Sequence, residues 1–142
     1  MLIVSGPVGA SEHERPGHPE RPTRVVAAMA GVDDLNLGSD LRIVAPRVAD
    51  RVELAYVHSS AYLDELAGFC ESGGGDLDPD TYATADSWGA ARMAAGAGLA
   101  VIDAVRQHPG AVGFVGSNAE HGIQNVGTTP AQYFVVALGK DA

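Results

Sequence analysis

The 142-residue chain is short of positive charge: eight arginines and one lysine, Lys140, stand against 18 Asp and Glu, for a formal charge of −9. This shortage argues against a general nucleic-acid binder, whose affinity rests on a basic footprint. Cysteine is nearly absent. The lone Cys70 rules out an internal disulfide framework and any cysteine-based zinc cluster, and its expected place is that of a small apolar core residue. Long apolar runs are missing as well, since the opening Met1–Val4 run breaks at Ser5, Gly6 and Pro7. No stretch reaches the length a bilayer span needs, and the opening run lacks the basic flank of a secretory leader. A soluble, cytoplasmic protein with no nucleic-acid or membrane partner is the expectation.

What is present fits one globular domain. Hydrophobic residues make up 46% of the chain, and a chain this long buries roughly 70% of its extended surface. Leu2-Ile3-Val4 reads as a buried strand. Ser5 to Pro22 is a loop rich in Gly, Pro and charge. A helix is expected from Pro22, where a missing N–H costs nothing, with Val25, Val26 and Met29 as its apolar face and Gly31 as its stop. Leu41, Ile43 and Val44 form a second strand ending at Pro46.

Asp50 and Glu53 have the spacing of a capping box, opening a helix through Tyr56. His58-Ser59-Ser60 interrupts it, and either serine can cap the next helix, Ala61 to about Glu71, with a stripe of Leu63, Leu66 and Ala67. Gly73-Gly74-Gly75 ends that helix. Thr84 to Arg106 is the longest helical segment, with Trp88, Ala91, Ala95, Leu99, Ile102 and Val105 recurring every three or four residues. Gly96 and Gly98 each cost this helix about 1 kcal/mol, tolerable where a neighbouring element packs tightly. Ala111 to Val115 is a third strand. The order implies an α/β body with a parallel sheet. From Gly116 the pattern changes: His121–Val126 and Tyr133–Leu138 flank Gly127-Thr128-Thr129-Pro130, the signature of a β-hairpin. The expected division is therefore a body over 1–115 and a hairpin tail over 116–142.

Three stretches could carry chemistry. His13 to Arg24 crowds two histidines, two glutamates and three arginines among three prolines, which stiffen the loop. From residue types alone, the bland reading is that His18 and Glu20 satisfy backbone groups or pair with Arg21 and Arg24 as a structural clasp; the alternative is a loop presenting binding groups. His58, at a joint between helices, has no metal-ligand partner at i±3 or i±4 and reads as a capping or packing residue. Asp76, Asp78 and Asp80 begin like a calcium loop, but Thr81 stands where glycine is needed and Ser87 where glutamate is needed, which excludes calcium. From Val52 to Ala91 there are eight carboxylates and no Lys or Arg. That stretch is either a solvated acidic face or the rim of a site for a cationic ligand.

Three blocks together resemble the N-terminal third of the zinc-dependent histone deacetylase and acetoin-utilisation family, of the arginase/deacetylase fold. They are His13…Gly17-His18-Pro19-Glu20-Arg21-Pro22-x-Arg24, then Val57-His58-Ser59-x-x-Tyr62, then Asp80-Thr81 followed by Ser87 and Ala94-Ala95-Gly96. The resemblance implies an incomplete parallel-sheet body of that fold and, for the family, zinc-assisted hydrolysis of an acyl-lysine or another small acylated amine. It implies substrate-side roles for four residues. Asp80 resembles a rim aspartate that bonds the substrate backbone, Arg24 the arginine lining an internal channel, and His18 and Glu20 part of the loop walling the acyl tunnel.

The pattern then departs. After Gly113-Phe114-Val115 the family carries an Arg-Pro-Pro-Gly-His-His-like segment, whereas this chain reads Gly116-Ser117-Asn118-Ala119-Glu120-His121. The expectation is a chain truncated before the catalytic histidine pair and zinc ligands, inactive alone and binding no zinc through the family site. The tail, His121-x-x-x-Asn125 with Tyr133-Phe134-Val135-Val136, is similar to the closing strands of a cupin barrel, which makes His121 a weak candidate metal ligand. Two readings outside catalysis stay open: a binding module whose acidic rim takes cationic ligands, and a vestigial cupin-type metal binder. A cut parallel sheet also leaves an open edge through which the chain can self-associate.

Overall fold

Short β-branched and apolar runs at both ends of the body become the strands of one sheet, and a computed structural model shows how they meet. It describes residues 1–6, 14–18 and 21–115; Glu20, His121 and the hairpin expected after Gly116 lie outside the described residues. Strand β1 (Leu2–Ser5) lies between β2 (Leu41–Ile43) and β5 (Val112–Val115), all parallel. Between them come α1 (Thr23–Asp34), α2 (Arg51–Leu54), α3 (Ser60–Glu71), β3 (Gly74–Asp78), β4 (Thr81–Thr84) and α4 (Ser87–Gln107). The expected α/β body with a parallel sheet is present.

Register decides which side chains share a face. Ile3 lies beside Arg42 and Gly113, and Val4 beside Ile43 and Phe114. Helix α4 covers the Ile3 face: a Cβ on Gly113 would meet the Val101 and Val105 side chains, and Arg42 donates to His108 Nε2 just beyond the helix. The crossover through α1 and the one through α4 run in opposite directions over the sheet, so a common right-handed sense sets them on opposite faces. Ile3, Val4 and Ser5 at the centre are accordingly fully buried. Among the described residues the outer edges of β2 and β5 have no partner strand.

Local signals hold where they concern caps. Asp50 accepts from the Glu53 amide while Glu53 reaches back to the Asp50 amide, closing the capping box. Ser59 caps α3 through the Tyr62 amide at 3.2 Å. Cys70 is buried in α3, and burial pushes its thiol pKa up.

Four expectations need correction. Helix α1 runs through Gly31 to Asp34, and Asn36, in the left-handed region at φ 50°, marks its end instead; asparagine tolerates that conformation because its short amide bonds locally. Its core face is Val25 and Val32, whereas Val26 is 68% exposed. In α4 the buried set is Gly96, Ala97, Val101 and Ala104, while Ile102 from the expected stripe is exposed. The small residues win because they let the helix approach neighbouring backbone. Finally, Thr84, expected to open the long helix, is the last residue of β4, and the helix starts at Ser87; the segment 74–84, assigned no element from sequence, is an antiparallel β3–β4 hairpin.

Candidate functional site

The loop at 14–18 and the β3–β4 hairpin meet, and each has a local reason for its shape. In Arg15-Pro16-Gly17-His18 the His18 amide bonds the Arg15 carbonyl at 3.1 Å, with Gly17 at φ 84°. Proline followed by a glycine of positive φ is what a type II turn demands. In the hairpin, the Asp80 amide donates to Asp78 Oδ1 at 2.8 Å, closing a turn over Pro79. That bond, from the backbone N–H of Asp80, holds the Asp78 carboxyl below its usual pKa. At the other end, the Thr84 amide donates to Ser87 Oγ at 2.7 Å, tying β4 to the start of α4. Gly74, at φ 75°, allows β3 to approach β4 so closely that a Cβ would stand 2.3 Å from the Ala83 carbonyl oxygen.

Three side chains join loop to hairpin. Arg15 forms an ion pair with Asp76 on β3, and its guanidinium lies 5.6 Å from the Tyr82 ring centre, within cation–π range. His18 meets the same ring edge-on at 5.0 Å between centroids. Its Nε2 lies 3.3 Å from the Asp80 carbonyl oxygen, so that nitrogen carries the proton and donates. Tyr82 is buried at 6% exposure. Glu14, Arg15 and Pro16 face Gly75, Asp76 and Tyr82 across a cleft of about 210 Å³.

Of the four residues given substrate-side roles, the structure brings His18 and Asp80 together across 62 positions of sequence. The Asp80 side chain is 95% exposed and that of His18 only 13%, so the carboxylate faces solvent and the imidazole supports it from beneath. Of the two forms of the structural reading, the His18 imidazole here takes the first, satisfying a backbone group, the Asp80 carbonyl. Arg24 sits exposed in the first turn of α1; among the described residues nothing ties it to His18 or Asp80. Glu20 lies outside the described residues. His58 packs its ring on Tyr62 at 5.2 Å, as its place between two helices predicts.

The acidic stretch is partly neutralised. Arg47 pairs with Glu53, Arg51 with Asp64 and Arg15 with Asp76, each arginine coming from outside the one-signed segment. The Arg47 hydrogen bonds are the main reason that the Glu53 pKa falls to about 2, helped by the Asp50 amide. Among the described residues no three His, Cys, Asp or Glu side chains converge as a metal centre would need, so those residues do not fit the zinc of the resembled family. No helix among them is long and apolar enough to cross a membrane.

Sequence reasoning missed Tyr82 as the meeting point of Arg15 and His18. A signal existed: the Asp78-Pro79-Asp80 turn followed by Thr81-Tyr82, β-forming residues, is hairpin chemistry. Reading the aspartates as a failed calcium loop hid it.

Comparison with known proteins places the chain. The family model described as a histone deacetylase domain matches residues 18–125, reaching ten residues past the expected body boundary at 115. A probable deacetylase of Methanothermobacter thermautotrophicus is 36% identical over 107 residues, covering 75% of this chain and 31% of the relative. An uncharacterised protein of Synechocystis is 34% identical over 117 residues, covering 79% of this chain and 38% of that one. The crystal structure of the HDA15 HD domain superposes with a TM-score of 0.67 at 26% identity, covering 80% of this chain and 35% of that one. The chain thus spans about a third of the length of the curated relatives it matches. The parallel-sheet architecture and this structural match agree with the arginase/deacetylase fold, and the chain belongs to the histone deacetylase family.

Proposed function

We propose that these residues form the substrate-facing rim of a deacetylase, engaging an acyl-lysine or a small acylated amine through Asp80, and that the 142 residues do not hydrolyse it unaided. One observation carries the reading: loop 14–18 docks on the β3–β4 hairpin, so that His18, 3.9 Å from Asp80 Oδ1, underpins an Asp80 whose carboxylate is 95% exposed toward a ligand. A carboxylate in that position accepts hydrogen bonds from a substrate's backbone amides. Support for the second half comes from the sequence. Its five histidines, His13, His18, His58, His108 and His121, stand singly, with no adjacent pair to serve as acid and base. Arg24 and Glu20 belong to the same reading as groups of the deeper wall, and self-association through the outer edge of β5 belongs to it as well. A cytoplasmic location is in keeping with a lone, buried thiol.

The experiment is a binding titration of a fluorescent acetyl-lysine peptide, run beside a deacetylation assay with added zinc. The expected result is binding without turnover, lost on Asp80→Ala. Turnover that disappears on chelation would overturn the second half of the proposal, and binding indifferent to Asp80→Ala the first. A non-enzymatic module with an acidic rim is the second reading, favoured by the full exposure of Asp80 at the hairpin tip. It requires that an unacylated cationic peptide bind as well as the acetylated one. Metal retained by the purified chain and lost on His121→Ala would instead support the cupin-type alternative.

A further inference from the structure

We propose that His18 is a positioning residue for Asp80: its imidazole fixes the turn at the tip of the β3–β4 hairpin and thereby the place of the rim carboxylate. The Asp80 side chain is 95% exposed, and its carboxylate has His18 Nε2 beside it at the long distance of 3.9 Å, so the closer hold is on its backbone. That backbone is gripped at two points, the amide by Asp78 Oδ1 at 2.8 Å and the carbonyl by His18 Nε2 at 3.3 Å. The first grip belongs to the hairpin itself. The second reaches across from a loop 62 residues earlier and is the one that ties the tip to the rest of the molecule.

The imidazole is suited to this because it is itself immobile. Its side chain is 13% exposed, and its ring sits edge-on against the buried Tyr82. Arg15, one turn earlier in the same loop, holds Asp76 on β3 and overlies the same tyrosine, so the loop grips both strands. A two-stranded hairpin alone is marginal in water, and its tip would fray without such a brace. A frayed tip must be ordered when a ligand binds, which weakens binding with no change in the groups that touch the ligand. His18 is therefore no substrate contact; it acts through Asp80.

The inference rests on the rim reading for its effect on binding, but not for the brace itself, and two measurements keep these apart. His18→Phe keeps a ring against Tyr82 and removes the donor; His18→Gln restores an N–H near the Nε2 position. Exchange of the Asp80 and Thr81 amides is followed by NMR in the unliganded chain, and acetyl-lysine peptide binding by fluorescence anisotropy. With one hydrogen bond lost, His18→Phe should speed exchange at the tip, and weaken peptide binding, by about three- to tenfold. His18→Gln should recover both to within about twofold of wild type. Tip exchange unchanged in His18→Phe, or His18→Gln as impaired as His18→Phe, overturns the proposal. Exchange that responds as expected in a chain that binds no acetyl-lysine peptide upholds the brace and refutes the rim reading alone.

Discussion

Two glycines two residues apart in α4 should respond in opposite directions to the same substitution. By helix propensity alone, Gly96→Ala and Gly98→Ala would each stabilise by about 1 kcal/mol. The structure separates them. A Cβ on Gly96 would stand 1.6 Å from the Arg47 carbonyl oxygen and 2.8 Å from the Ala49 amide nitrogen, both backbone atoms, whereas nothing lies within 4 Å of one on Gly98. Relief requires the 47–49 segment to retreat by more than an ångström. That segment is tied to α4 by two bonds, Ala49 N–H to the Arg92 carbonyl and Arg92 Nε to the Ala49 carbonyl, each 3.0 Å. Losing both costs about 2 kcal/mol, and overpacking adds about 1–3 kcal/mol, against the gain of about 1 kcal/mol in propensity. Gly96→Ala should therefore lose about 2–4 kcal/mol, a large share of the ~5–15 kcal/mol that holds a domain of this kind. Gly98→Ala should gain about 0.5–1 kcal/mol. Urea titrations followed by circular dichroism measure both, and the expected drop in melting temperature for Gly96→Ala is roughly 5–15 °C. Equal stabilisation by the two substitutions would refute the close contact between α4 and the 47–49 segment.

Further outcomes follow from the same structure. Glu53 has its pKa lowered to about 2 by Arg47, so its contribution is complete above the unfolded value near 4.5 and fades as pH falls toward 2; Glu53→Gln should flatten stability against pH across that window, as read from acid-dependent urea midpoints. Ser5 is fully buried with an Oγ that finds no hydrogen-bond partner among the described residues, and Ser5→Ala should raise stability by about 1 kcal/mol because a buried hydroxyl without a partner is costly. A loss of stability in that variant would show that the hydroxyl is bonded after all. For the open edge, light scattering over a concentration series should show association that Val112→Lys reduces, since a charge on an edge strand opposes pairing; a monodisperse monomer at every concentration would exclude self-association.

Much of the candidate site was legible, because family resemblance and local chemistry acted on the same residues. The prolines of the 13–24 segment announce a stiff loop, and the Asp78-Pro79-Asp80 run announces a turn. That His18 and Asp80 touch was not legible. Their contact is made directly between two elements distant in sequence, with the His18 ring seated on Tyr82, to which neither residue type points.

The contrast is clearest in the helices. The capping box at Asp50 and Glu53, the Ser59 cap and the end of α3 at the triple glycine are set within four residues of chain, and the same short-range geometry forms whatever surrounds it. Sequence by itself therefore determined where most elements begin and that the body alternates helix and parallel strand. Which face of each helix is buried was decided only on assembly. Val26 and Ile102 lie outside and Gly96 and Ala97 inside, because burial depends on how closely two backbones can approach, a property of the pair of elements rather than of either one. The candidate site has the same origin. Asp80 is held within its own hairpin by Asp78 and joined to the rest of the fold where the first loop meets that hairpin some sixty residues later.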